Sequence, residues 1–174
     1  MNVRLDRLTV DIERHAAAAG WDQGVHLFAL VETADLLRRE PQLADELGLS
    51  SAEPGGLTPV DQGDLPEHAS VEELLGAMTW PPEVLGTALT LERLMVPPAV
   101  EKDIPQDEQE ALRWLAEHPE RQEVRLVVAV LRDGSRSAAL RMRDHDDDTS
   151  VLTGENLVPG LADALAATLA TLSD

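Results

Sequence analysis

Cysteine is missing from this chain, tyrosine is missing with it, and lysine occurs once, at Lys102. Without a thiol there is no cysteine nucleophile, no thiolate zinc site and no dithiol redox pair. Aromatic side chains are nearly as scarce, being confined to Trp21, Trp80, Trp114 and Phe28. Each tryptophan stands beside aliphatic residues at the edge of a candidate element, which suits a packing anchor better than a platform for stacking a ligand. No apolar stretch approaches the roughly 18 unbroken residues of a membrane span. The opening MNVRLDRLTVDIERH interleaves charges too closely to form a signal-peptide core, so a cytoplasmic location is expected. Phosphate-cradling motifs are absent too: Gly55 and Gly56 lie in a polar stretch without the lysine and hydroxyl of a P-loop or the spacing of a dinucleotide fingerprint. Ser135 follows Asp133 and Gly134, the place for a small polar turn residue and not the setting of a nucleophile elbow.

What the chain has in excess is negative charge. Its 33 acidic residues outnumber 14 basic ones, for a formal charge of −19. The mean field repels phosphate backbones and anionic lipid, so neither nucleic acid nor membrane is an expected partner. A basic or hydrophobic protein surface suits this chain better. A chain of 174 residues that is 43% hydrophobic buries about two-thirds of its unfolded surface and needs no disulfide or metal to fold. One domain over residues 1–174, with no cofactor, is the expectation.

Hydrophobic periodicity supplies the elements. Leu5, Leu8, Ile12, Ala16 and Ala19 recur at helical spacing within residues 3–19, with Asp6, Arg7, Asp11, Glu13 and Arg14 assigned to the opposite side and Gly20 as the stop. Residues 25–31 form a short apolar run and read as a strand. Thr33 stands where it can cap a following helix through Leu36 and Leu37, and Pro41 to Gly48 suggests another. The Pro- and Gly-rich residues 49–69 read as an exposed loop. Ser70 and Glu73 have capping-box spacing before Leu74, Leu75 and Met78, and Trp80, Pro81 and Pro82 end that helix. Residues 84–96 read as a second strand, Asp107 to Glu117 as an amphipathic helix stopped at His118 and Pro119.

In EVRLVVAVLRDGSRSAALRMRD two strand-like runs flank Asp133 and Gly134, which reads as a hairpin with a two-residue type I′ loop. That register sets Val127 opposite Leu140 and Leu126 opposite Arg141. Finally Leu157, Leu161, Leu165, Leu169 and Leu172 form a stripe for a carboxy-terminal helix that tolerates Pro159 in its first turn. The fold class is therefore α+β, a mainly antiparallel sheet of about four strands near residues 25–31, 84–96, 123–132 and 135–143, with the N- and C-terminal helices and others packed on it.

No catalytic or metal-binding set stands out. His15, His26, His68, His118 and His145 make no i, i+4 pair. His26 in its strand reads as a core or edge histidine, and His118 as a cation at a helix end. Glu92 and Arg93 point to opposite faces of their strand, each toward a cross-strand partner. In DHDDDTSVLTGE the residues Asp144, Asp146, Asp148, Ser150 and Glu155 match the ligand order of an EF-hand calcium loop. The sixth position of that loop needs positive φ, however, and Thr149 occupies it. An acidic loop leaving an edge strand accounts for the same residues without an ion.

The segments LFALVETADLL, WPPEVLGTALTLERLMVPP, HPERQEVRLVVAVLRDG and LVPGLADALAATL resemble a conserved-hypothetical family of actinobacterial proteins across most of the chain. The resemblance implies a bacterial cytosolic setting and carries over no activity, cofactor or site residue. The order strand, helix, hairpin, helix is also similar to the small acidic α+β chaperones of bacterial secretion systems, a likeness of element order alone. A non-catalytic binding, adaptor or chaperone-like protein is the expected function. The alternatives are an enzyme that gathers Glu32, Glu92 and a histidine around one cavity, and a calcium-modulated module through residues 144–155.

Overall fold

The computed structural model describes residues 3–21, 25–46, 56–64, 75, 79–145, 151–154 and 159–169. Helix α1 (Val3–Ala19) precedes strand β1 (His26–Glu32), and the short helices α2 (Thr33–Arg39) and α3 (Pro41–Glu46) lead toward β2 (Leu57–Asp64). The long β3 (Val84–Met95) is followed by α4 (Pro98–Glu101) and α5 (Glu108–Glu117), then by β4 (Gln122–Leu131), β5 (Arg136–Met142), a 3-10 turn (Arg143–His145), β6 (Leu152–Gly154) and α6 (Pro159–Thr168). The strands make one antiparallel sheet in the order β2-β1-β3-β4-β5-β6.

Alternation along the central strands separates two faces. Val124, Leu126, Val128 and Val130 of β4 join Leu27, Leu89, Leu91, Ala138 and Leu140 under Leu161 and Leu165 of α6 and Leu169 just beyond it. Val127 and Ala129 point the other way and meet Leu5, Leu8 and Ile12 of α1, together with Leu30, Ala88 and Ala139. Period two in the strands and period 3.6 in the helices thus produce a helix–sheet–helix sandwich with both faces of β4 buried. Gly86 lets β3 approach β4, since a Cβ there would collide with the Val130 carbonyl and the Leu131 side chain.

Among the described residues six strands are present where about four are expected, and the two additional ones lie at the sheet edges. β2 arises inside residues 49–69, the stretch expected to be an exposed loop. Its polar sequence does not alternate cleanly, but pairing with β1 satisfies its backbone, and an edge position tolerates Pro59. The three-residue β6 pairs only with β5. The capping-box helix at residues 70–78 lies outside the described residues except for Leu75, which is buried.

The hairpin turn forms at the expected place, with one residue more in its loop. Leu131 N donates to Ser135 O at 2.9 Å and Gly134 N to Leu131 O at 3.0 Å. The loop is therefore Arg132, Asp133 and Gly134, with Gly134 at φ +94°, the three-residue type whose last residue takes a left-handed conformation. A one-residue change re-pairs the whole ladder: Leu126 faces Leu140, Val124 faces Met142, and Arg125 faces Arg141. Two smaller expectations also change. Glu13, assigned to the solvent side of α1, is fully buried. Thr33 does not cap α2, whose N-cap is Glu32; its hydroxyl is shared with Thr58 at 2.7 Å.

Candidate functional site

Helix α1 lies over β3, β4 and β5, and the same face of the sheet continues past it onto β1 and β2. Between the last turns of α1 and those strands is a cleft of about 150 Å³ lined by Ile12, His15, Ala16, Ala19, His26, Phe28, Asp61, Thr90, Leu91, Glu92 and Arg125. A shallower depression of about 480 Å³ adjoins it, sharing Ile12, His15, Phe28 and Asp61 and running out to Leu57 and Pro59. Cross-strand register brings the lining together: His26 pairs with Thr90, Phe28 with Asp61, and Glu92 with Arg125. An irregularity between His26 and Phe28 shifts β2 by one residue, as β-bulges do where they re-aim a side chain. Asp61 Oδ2 lies 3.6 Å from His26 Nδ1, beyond hydrogen-bond length but close enough for attraction when the imidazole is charged.

Beneath the cleft is the most polar part of the interior. Glu13, on the buried face of α1, receives Arg141 Nη2 at 2.7 Å and Arg125 Nη1 at 3.2 Å, with Arg141 Nε at 3.0 Å from both carboxylate oxygens. All three side chains are at least 97% buried. Opposed arginines on neighbouring strands repel, and the single carboxylate between them makes the arrangement tenable. Arg125 also donates to Gly20 O at 2.6 Å, and its guanidinium stacks 4.4 Å from the Trp21 ring centroid, a cation–π geometry. The triad thus fixes the end of α1, which forms one wall of the cleft.

The residues singled out in the sequence fall in several places. Glu92 and His26 do line one cleft, joined by His15 and Asp61, whereas Glu32 stands at the far end of β1 in a separate depression with Asp35, Arg39 and Glu83. His118 is the C-cap of α5, where its Nδ1 accepts from Glu120 N at 3.0 Å. Trp80 is an anchor, donating from Nε1 to Thr168 Oγ1 at 3.0 Å, and Trp114 lies with its ring centroid 4.7 Å from that of His118. Of the calcium-loop residues only Asp144 is described, exposed in the 3-10 turn; Asp146, Asp148, Ser150 and Glu155 lie outside the described residues, as does His68. Among the described residues no three His, Asp or Glu side chains are grouped to hold a metal ion.

Hydrogen bonds lower the pKa values of Asp35 and Asp133, both outside the cleft. Asp35 is held down first by its hydrogen bond from Arg38, with the charge of Arg39 adding to it. Asp133 is held down by hydrogen bonds from Ser135, whose backbone N lies 2.8 Å from Oδ1. The Asp61, Arg125 and Glu13 contributions were not singled out in the sequence. A charged residue breaking the apolar face of α1 at position 13, and arginines of matching parity in two apolar strands, were the available signals.

Fold and site together define an α+β protein with a six-stranded antiparallel sheet and a sheltered, mixed-polarity cleft beside its first helix. The chain belongs to the PPA1309-like protein family, whose model matches residues 5–170. That family takes its name from a Propionibacterium gene, in keeping with the actinobacterial resemblance. No curated protein and no solved structure matches the chain, so the likeness to secretion chaperones gains no support. Among the described residues no helix is long and apolar enough to cross a membrane.

Proposed function

We propose that this is a non-catalytic cytoplasmic binding protein that takes its ligand in the cleft between α1 and strands β1–β3. The observation that carries the reading is the cleft itself: a sheltered space with Ile12, Ala16 and Phe28 for an apolar body and Thr90, Asp61, Glu92 and two histidines for a polar group. That mixture, an apolar lining with a few convergent polar groups, is the usual make-up of a small-molecule site. Ala16→Trp tests it, because Ala16 is only half-buried on the cleft wall and a large side chain there fills the space without entering the core. Fragments detected by NMR in the wild-type cleft are expected to lose binding in the variant while its melting temperature holds. Fragments that bind both proteins alike would place the site elsewhere.

A second reading has its own observation, namely the presence of His26, Asp61 and Glu92 on one cleft, a set able to move a proton to or from a bound molecule. The two readings divide on the fate of the ligand. A binding protein returns it unchanged and in stoichiometric amount; an acid–base enzyme converts it, and His26→Gln then stops turnover while binding survives.

A further inference from the structure

Granting that the cleft binds a ligand, we infer that this ligand is an uncharged, elongated amphiphile: an alkyl-like body with one neutral hydrogen-bonding end, such as a hydroxyl, placed at Thr90. Thr90 lines the cleft and is only 5% exposed. Every other buried threonine commits its hydroxyl to a protein partner: Thr9 to Leu5 O, Thr33 and Thr58 to each other, Thr87 to Phe28 O, and Thr168 to Leu165 O. The Thr90 hydroxyl has no such partner among the described residues. None of their side-chain polar atoms is sealed from solvent without a partner, so this hydroxyl opens on the cleft. It can both donate and accept there, and a buried hydroxyl is costly to leave unbonded.

The charged groups of the lining, by contrast, are already matched. Asp61 lies against His26. Glu92 stands opposite Arg125 across the strands and has a partner of its own. Arg125 is held by Glu13, Gly20 O and the Trp21 ring. An ion entering here loses hydration and meets no unmatched counter-charge. Asp11 and His15 are exposed at the rim, where their fields are screened.

Shape supplies the rest. The cleft and the adjoining depression share Ile12, His15, Phe28 and Asp61, so they form one groove. Leu8, Ile12, His15 and Ala19 border it at three- and four-residue spacing, and between the first and last of these α1 rises about 16 Å. Away from Thr90 the groove is walled by Leu8, Phe28, Leu57 and Pro59. The end at Thr90, at about 150 Å³, admits a group about the size of benzene and excludes a helix, which is about 10 Å across.

Octan-1-ol, octanoate and octylammonium have the same chain length and differ in charge, while butan-1-ol keeps the hydroxyl on a shorter chain. Each is titrated at neutral pH into the full chain and followed through the amide signals of Leu57, Phe28 and Thr90. Octan-1-ol is expected to bind about tenfold more tightly than either ion. Its margin over butan-1-ol is expected to exceed about tenfold, since each buried methylene adds roughly fourfold. Thr90→Val keeps the side-chain shape without the hydroxyl. It is expected to weaken octan-1-ol about fivefold and to leave the melting temperature unchanged or raised. Leu57→Ala, on the half-buried far wall, is expected to weaken octan-1-ol and spare butan-1-ol. Tighter binding of either ion, or equal binding of the two alcohols, would overturn the ligand class and leave the cleft standing as a site. Octan-1-ol binding unchanged by Thr90→Val, or a variant that loses stability, would overturn the assignment to Thr90. No movement of these signals with any probe at millimolar concentration would remove both the assignment and the site.

Discussion

The two faces of the sheet are held by different physics. Beneath α6 the contact is apolar throughout its centre: Leu161, Ala162 and Leu165 meet Leu126, Val128 and Leu140, and stability there follows from area removed from water. Beneath α1 the same strands present Arg125 and Arg141, and the helix answers with a buried carboxylate. A hydrophobic face tolerates small errors of placement, because its attraction has no direction. An ion triad in the interior does not, since its desolvation is repaid only in one geometry. The α6 face therefore supplies bulk stability, while the α1 face specifies where the helix sits, and with it the shape of the cleft.

That contrast is open to direct attack. Glu13→Ala leaves two buried guanidinium groups side by side and is expected to cost about 3–5 kcal/mol in denaturant unfolding. Replacing the triad together, with Glu13→Leu, Arg125→Met and Arg141→Leu, is expected to restore stability to about the wild-type value or above it. If the single change were mild, the triad would not be what positions α1. On the other face, Leu165→Ala opens a cavity beneath α6 and is expected to cost about 3 kcal/mol, with no apolar compensation available from elsewhere. Trp80→Phe removes the bond to Thr168 and is expected to cost about 1 kcal/mol by the same measurement.

The smallest effect belongs to neither face. The folded-state pKa of Asp133 is lowered by Ser135. Its contribution is therefore present above the unfolded carboxylate pKa and is lost as pH falls through the lower folded value. The stability difference between wild type and Asp133→Asn is expected to be constant near neutrality and to shrink through the acid range. A difference that grew on acidification would contradict the sign.

Most of the α6 face is legible in the sequence because it obeys simple periods: the leucine stripe of α6 and the alternation of β4 identify their own partners. The N-terminal helix and its end at Gly20 are legible for the same reason. What escapes is whatever depends on pairing. β2 has no strand-like pattern of its own, and only the free edge of β1 makes it one. The hairpin loop differs by a single residue from the simplest reading of Asp133 and Gly134, and that residue decides whether Arg141 faces Leu126 or Arg125. Glu13 is part of the same difficulty, since one charge on a helix reads as solvent-facing until its partners are known. The cleft inherits all of this: His26 and Glu92 were visible as residues, but Asp61 joins them only through the β1–β2 register.

Arg132, the extra loop residue, has a consequence for how the chain distinguishes the correct hairpin from its neighbour. Its guanidinium donates to the carbonyls of Val84 at 2.7 Å, Pro81 at 2.9 Å, Trp80 at 3.1 Å and Leu169, the last at the carboxyl end of α6. A hairpin slipped by one residue would make Arg132 a strand position and leave those four acceptors without this donor. The slip that most easily tempts a sequence of alternating valines thus carries its own penalty, collected from two separate stretches of chain, residues 80–84 and Leu169. The turn acts as a checkpoint on strand alignment, and its full set of bonds includes one to the end of the final helix.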